Sequence, residues 1–560
     1  MGYTLLWIEN LTFWLLLIAL GVAASVRVQR PWRRRTLRIG TTLLAFGACS
    51  LATLAVWALE TNWRVPTGLF APVLALSVCC TVGLFVIPRY GLRHDSQQTP
   101  RASQWRLGTL ALATSAALVL HLMTFWNLDL SVRQQMETLR AEAGTLAMSA
   151  APARIPDRDN AAVLYVQAFE GGLLDPGPKE YYELLRLTSE EPDKFDPRVP
   201  EVAAYLNHLR PLLVLVREAA ARPGCNFNRD WGRPSISMLL PETQDMRTAA
   251  RALQLEAHAR AIQGDVRGAL ENILALHRMA EHVSEEPFLV SQLVSFALDS
   301  MAVRNLELLL QRHPVMATDL DVLNDFRSRP MRPRLQRAFR AEDAMALATF
   351  CRVGDWRELE PLAKSGLRPF GDEVESRMAF WPLNASAVYR VFFWATDVQS
   401  YREYSHTFEM LPTLPYKEAK VRWGNAEQSM RNSPIGIMTR LLLPAFSQAH
   451  NAATRTEAKL RLAQLAVEMH RHRLQHGTFP SNLDELHRDA SVLIPRDPFD
   501  RQPLRLTKTD DSLILYSVGS DLTDDKGAAL DKGAALDKSA LSGDVTFVLK
   551  VPTGLTKSSP

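Results

Sequence analysis

The sequence predicts a mainly α-helical protein with four transmembrane helices, an all-α ectodomain of helical hairpins and a small α+β C-terminal domain. Three observations predict this fold class: long apolar runs near the N-terminus, helix-spaced apolar stripes in the middle, and short alternating runs near the end. The predicted domain bounds are 1–126, 127–445 and 446–560.

The four N-terminal apolar runs carry few charges. A bilayer core of about 30 Å requires about 20 helical residues. Glu9 lies in the first run and His121 in the fourth, whereas the second and third contain no Asp, Glu, Lys, Arg or His. The sequence therefore predicts transmembrane helices over Leu5–Val26, Ile39–Leu59, Leu69–Ile87 and Leu107–Trp126.

Arginines in the connecting loops predict the orientation. The loop after the first run has six arginines and no acid, and the loop before the fourth has four arginines and one acid, Asp95. Because basic short loops stay in the cytoplasm, we expect a multi-pass inner-membrane protein with an extracytoplasmic, periplasmic C-terminal region and lipid contacts. The alternative for the first run is a cleaved signal peptide, although its basic residues follow the apolar segment.

The charge distribution argues against nucleic-acid binding. Residues 1–126 hold 11 arginines, no lysine and 3 acids, which leaves 53 basic and 57 acidic residues in the remainder, a net charge of −4. The remainder therefore lacks the basic excess that nucleic-acid binding requires. Cys225 and Cys351 are its two cysteines, and the sequence leaves open whether they pair.

The clearest helical pattern lies between Asp245 and His313. Two apolar stripes flank Gly264-Asp265, where glycine suits a helix C-terminus and aspartate an N-cap. A third stripe follows Pro287. The segment 264–270 resembles the turn inside a tetratricopeptide unit, which implies a helical repeat; a generic helical hairpin is the alternative.

The C-terminal region combines one long helix with short strands. A helix is predicted from about Ala452 to His476, ended by Gly477, with strands at 504–507, 513–516 and 544–551. This order resembles the globular domain of the major pseudopilin of type II secretion. The matching positions are Gly477, Phe479, Pro480, Leu483, Leu486, Asp497, Pro498, Phe499, Ser517, Gly519 and Asp521.

The pseudopilin resemblance implies a calcium-holding loop after the second strand. Asp521, Asp524 and Asp525 are the candidate ligands, because calcium prefers several oxygen donors. The alternative is a solvated acidic loop, since the segment 525–541 contains DKGAAL repeats typical of a flexible insertion. The whole chain also resembles an uncharacterised class of bacterial multi-span membrane proteins with a helical ectodomain.

Three histidines on the long C-terminal helix form a second candidate metal site. His472 and His476 are separated by four residues and share a helix face, a spacing that can bind zinc, whereas His470 lies on another face. The alternative is an ordinary polar helix face.

The sequence favours a membrane-anchored binding or scaffold protein associated with secretion or pilus-like envelope machinery. No nucleophile, zinc-protease, Walker or dinucleotide motif is present, so the enzyme question stays open while the sequence leans towards a non-enzyme. The alternative is an extracytoplasmic hydrolase with a site within residues 150–450. Catalytic residues and a firm cofactor are therefore not assigned.

Overall fold

The structure is a computed structural model, which describes residues 130–170, 195–232, 234, 240–352, 393–432, 436, 438–439, 446–488, 492–528 and 543–551. The chain divides into two compact units. The first comprises Met1–Thr138, Cys351–Leu359 and Phe370–Val398, and the second comprises the remainder. In the first unit, the Cys351 thiol donates a hydrogen bond to the Met136 carbonyl at 3.1 Å. The predicted domain bounds stay predictions.

The helices follow one another along most of the described chain. In order they are α1 over 130–150, α2 Ala161–Glu170, α3 Pro200–Ala220, α4 Pro241–Ile262, α5 Val266–Glu285, α6 Leu289–Arg312, α7 Ala317–Leu320, α8 Met331–Cys351, α9 Trp394–Met410, α10 Tyr416–Asn432, α11 Phe446–His476 and α12 Leu483–Arg488. Short 3-10 turns cover Asp321–Asp325 and Leu411–Thr413.

The helical array, which we define as α3–α6, forms the core of the second unit. Helix α5 packs against α4 and α6, and α3 packs against α4 and α5. The predicted turn at Gly264-Asp265 is confirmed: Gly264 has φ +88°, and the Asp265 carboxylate accepts a hydrogen bond from the Gly268 amide at 2.9 Å. Capping of this kind typically contributes about 1 kcal/mol.

The tail module, which we define as α11, α12, strands β1–β3 and their connections, packs on this array. Strands β1 (Arg505–Lys508), β2 (Ser512–Ser517) and β3 (Val545–Lys550) form an antiparallel sheet in the order β1-β2-β3. Helix α11 packs against α6, β2 and β3. The predicted long helix and three strands are therefore confirmed, with α11 starting earlier than expected.

The structure contradicts the predicted fold class with four transmembrane helices and the predicted multi-pass inner-membrane localisation with a periplasmic C-terminal region. Across the described ranges, no helix combines the length and apolar character needed to cross a bilayer. The 31-residue α11 carries seven Asp, Glu, Lys or Arg side chains, and the 24-residue α6 carries four. The corrected fold class is mainly helical with a three-stranded sheet. The predicted spans 5–26, 39–59, 69–87 and 107–126 lie outside the described residues.

Candidate functional site

The predicted calcium ligands lie in the loop that follows β2. The Asp521 carboxylate accepts a hydrogen bond from the Thr523 amide at 3.0 Å, and the Asp524 carboxylate accepts one from Lys526 at 3.0 Å. Asp524 also pairs with Arg505 on β1 at 3.3 Å, whereas the Asp525 side chain is exposed. The carboxylates of Asp521 and Asp524 therefore already accept hydrogen bonds from groups of this chain.

These three aspartates do not form a ligand cluster. Within the described part of the chain, no group of three His, Cys, Asp or Glu side chains is placed to hold a metal ion. Two non-glycine residues in this loop have positive φ, Leu522 at 67° and Lys526 at 59°. Calcium stays a prediction from the pseudopilin resemblance.

The centre of the tail module is the buried carboxylate of Asp497. It accepts hydrogen bonds from the Phe499 amide at 2.9 Å, the Ser517 hydroxyl at 2.9 Å and the Val518 amide at 3.0 Å. Arg505 lies 3.4 Å away. Burial raises the pKa of Asp497, while these donors oppose the shift. The carboxylate thus ties the 497–500 turn to the end of β2.

An aromatic cluster joins this turn to α10 and α11. The Tyr416 ring meets Phe499 edge-on at 4.6 Å between centroids and stacks on His450 at 5.8 Å. Trp423 meets His450 edge-on at 5.4 Å. Burial and the nearby Arg332 lower the pKa of His450 to about 4, so its imidazole is neutral at pH 7.

The outer edge of the sheet is occupied by α6. Strand β3 is an edge strand, and the backbone of Val548 is bonded on its outer side by side chains of the helical array. The Val548 amide donates to the Glu307 carboxylate at 2.8 Å, and the Val548 carbonyl accepts from the Gln311 amide nitrogen at 2.8 Å. Glu307 and Gln311 are four residues apart and therefore share a helix face.

A buried Ser, His and Asp in the array resemble catalytic residue types but serve the fold. His277 Nδ1 lies 2.8 Å from Asp299, whose other oxygen pairs with Arg329. The Ser295 hydroxyl donates to the Ala280 carbonyl at 2.7 Å. None of the four side chains is more than 5% exposed, so no substrate reaches them.

A second buried charge network holds the segment before α4. Arg229 pairs with Glu242 and, at 3.0 Å, with Glu286, and its guanidinium lies over the rings of Phe227 and Phe288. The two buried carboxylates of Glu242 and Glu286 therefore pair with one largely buried guanidinium inside the fold.

A small pocket lies between α4, α5 and α6. Its polar lining consists of His258, Asn305, Arg312 and His313, with no carboxylate or hydroxyl among the side chains that line it. Burial and then Arg312 lower the pKa of His258 to about 4. The lining offers neither a nucleophile nor paired acids, so it does not support the predicted hydrolase.

The structure separates the three histidines of the predicted metal site, because His470 lies on a different face of α11 from His472 and His476. His470 is buried and meets Phe479 edge-on at 5.2 Å between ring centroids, whereas the half-buried His472 and the exposed His476 stack at 4.2 Å. Cys225 and Cys351 are both buried, and no disulfide joins them. Burial raises the pKa of the Cys225 thiol, which makes it a poor nucleophile.

Sequence reasoning missed Glu307, Gln311 and Arg505. The available signal for Glu307 and Gln311 was an acid and an amide spaced four residues apart in the leucine-rich end of α6.

Comparison with models of protein families, with curated proteins and with solved structures found no match. The pseudopilin and tetratricopeptide resemblances therefore stay predictions.

Proposed function

We propose that this chain is a non-enzymatic scaffold that presents a pseudopilin-like tail module to a protein partner. The observation that supports this most is the bonding of Val548 on β3 to Glu307 and Gln311 on α6. The β3 edge of the sheet is thereby hydrogen-bonded to α6 of the same chain. The β1 edge lies on the opposite side of the sheet.

Further polar contacts hold the module in a defined place. Lys459 on α11 donates to the Ser300 hydroxyl at 3.1 Å, and Arg471 donates to the Leu320 carbonyl at 3.1 Å. The His277 and Arg229 networks contain charged groups of the types found in hydrolases. These groups form ion pairs with other side chains of the fold. A fixed module on a helical support suits binding by pre-organisation, because less conformational freedom is lost on association.

Photo-crosslinking in the cells that produce the protein tests this proposal. A photoreactive residue replaces the exposed Lys508 on β1, and the matched control replaces the exposed Glu271 on α5. We expect a discrete protein adduct from position 508, none from position 271, and loss of the adduct when Glu307→Ala and Gln311→Ala are combined. Absence of an adduct from position 508 would contradict the proposal, as would adducts of equal yield from both positions.

A further inference from the structure

The histidine pair at the end of α11 places two candidate metal ligands on one helix face, where His472 is half-buried and His476 is exposed. His472 and His476 lie one turn apart, and their rings are 4.2 Å apart between centroids with a 26° interplanar angle. Two nitrogens bound to one tetrahedral zinc ion at about 2.0–2.1 Å are themselves about 3.3 Å apart. Because each lone pair lies in the plane of its ring, the two rings must rotate from this stacked position until their Nε2 atoms converge on a shared ion.

Both rings are held through the same nitrogen. His472 Nδ1 lies 3.2 Å from the Thr478 carbonyl oxygen, and His476 Nδ1 lies 3.1 Å from the His472 carbonyl oxygen. A carbonyl accepts only, so each Nδ1 carries the proton and donates, which leaves each Nε2 with its lone pair. Metal-binding histidines typically have this arrangement, because the second nitrogen fixes the tautomer and the ring orientation.

The chain supplies this orientation through Gly477. Gly477 has φ +78°, a conformation that side-chain-bearing residues rarely adopt, and it ends α11. The turn at Gly477 brings the Thr478 carbonyl to the ring of His472. The C-terminal end of a helix also carries a partial negative charge, which favours a bound cation.

We propose that His472 and His476 bind a divalent transition-metal ion of the zinc, nickel and copper class through their Nε2 atoms, with water in the remaining positions. Imidazole nitrogen suits these ions and disfavours calcium and magnesium, which prefer oxygen. This site is separate from the predicted calcium loop and does not depend on the proposed scaffold function.

Calorimetric titration of zinc into the purified full-length chain tests the site. We expect one ion per chain, and we expect His472→Ala or His476→Ala to weaken binding on the order of 100-fold, because chelation by the second imidazole is lost. The matched control, His487→Ala, removes an exposed histidine from the same module and keeps wild-type affinity. Circular dichroism confirms that each variant is folded.

Electron paramagnetic resonance of bound copper gives a second readout. We expect hyperfine splitting from two nitrogens in the wild type and from at most one nitrogen in either single variant. The proposal is overturned if the folded chain binds no zinc at millimolar concentration, or if His472→Ala and His476→Ala bind it as tightly as His487→Ala does.

Discussion

Glu307 on α6 accepts a hydrogen bond from the backbone amide of Val548 on β3, at 2.8 Å. The two residues are 241 positions apart in the chain. An edge strand presents unpaired backbone groups, and proteins cover such edges to prevent unwanted pairing. Here a carboxylate and the neighbouring Gln311 amide cover the edge, so one helix of the array completes the hydrogen bonding of the sheet.

Replacing Glu307 with alanine tests this contact by stability. We expect Glu307→Ala to lower the free energy of unfolding of this unit by about 1–3 kcal/mol, because the Val548 amide loses its acceptor. The measurement is urea denaturation followed by circular dichroism. The matched control, Glu271→Ala, removes an exposed acid paired with Arg267 and should change the free energy by less than about 0.5 kcal/mol. Equal effects of both substitutions would show that the contact contributes nothing specific.

Asp497→Ala should be the most damaging substitution in the tail module. It leaves the buried Ser517 hydroxyl and the Phe499 and Val518 amides without their acceptor, at a cost of about 3–5 kcal/mol. Thermal unfolding of the variant measures this loss. Asp510→Ala, at an exposed turn position, is the control and should melt close to the wild type. A small effect of Asp497→Ala would mean that the turn does not depend on this carboxylate.

His450 should make the protein less stable in acid. Its pKa is lowered from 6.5 to about 4 in the folded chain, so the unfolded chain binds more protons between those values and stability falls as the pH falls. Between about pH 7 and about pH 5, we expect the wild type to lose about 2 kcal/mol more than His450→Phe, which keeps the aromatic packing. Urea denaturation at both pH values gives this difference.

The control for the acid effect is His406→Gln, which removes an exposed histidine on α9 and should follow the wild-type profile. If His450→Phe loses as much stability on acidification as the wild type, another group causes the effect.

The acidic loop gives a direct test of the calcium prediction. We expect millimolar calcium to leave the melting temperature of the intact chain unchanged, because Asp524 is paired with Arg505 and Asp521 is bonded to the Thr523 amide. The measurement is thermal unfolding with calcium and with chelator. A calcium-dependent rise that disappears in Asp521→Asn would reverse this expectation and establish the site predicted from the sequence.

Local sequence patterns predicted the elements, because their causes lie within a few residues. The turn at Gly264-Asp265 and the end of α11 at Gly477 both follow from glycine and capping chemistry. The Glu307–Val548 contact depends on tertiary packing across 241 residues, which periodicity does not encode. The four-span prediction relied on the length of four apolar runs and on the arginines between them, and it was wrong about the fold class.

The sequence spacing of His472 and His476 predicted their shared helix face but not the hydrogen bonds of their rings. The i, i+4 spacing of His472 and His476 indicated that their side chains share a face. His472 Nδ1 is held by the Thr478 carbonyl, and thus through the conformation of Gly477, whereas His476 Nδ1 is held by the His472 carbonyl one turn earlier in the helix. Nothing in the residue pattern indicated that Arg505 would pair with Asp524.

Hydrogen exchange at the Val548 amide tests most directly whether array and tail module form one scaffold. We predict that this edge-strand amide is strongly protected in the intact chain, and that Glu307→Ala speeds its exchange at least about tenfold while Glu271→Ala does not. Fast exchange in the wild type, or equal protection in both variants, would contradict the account.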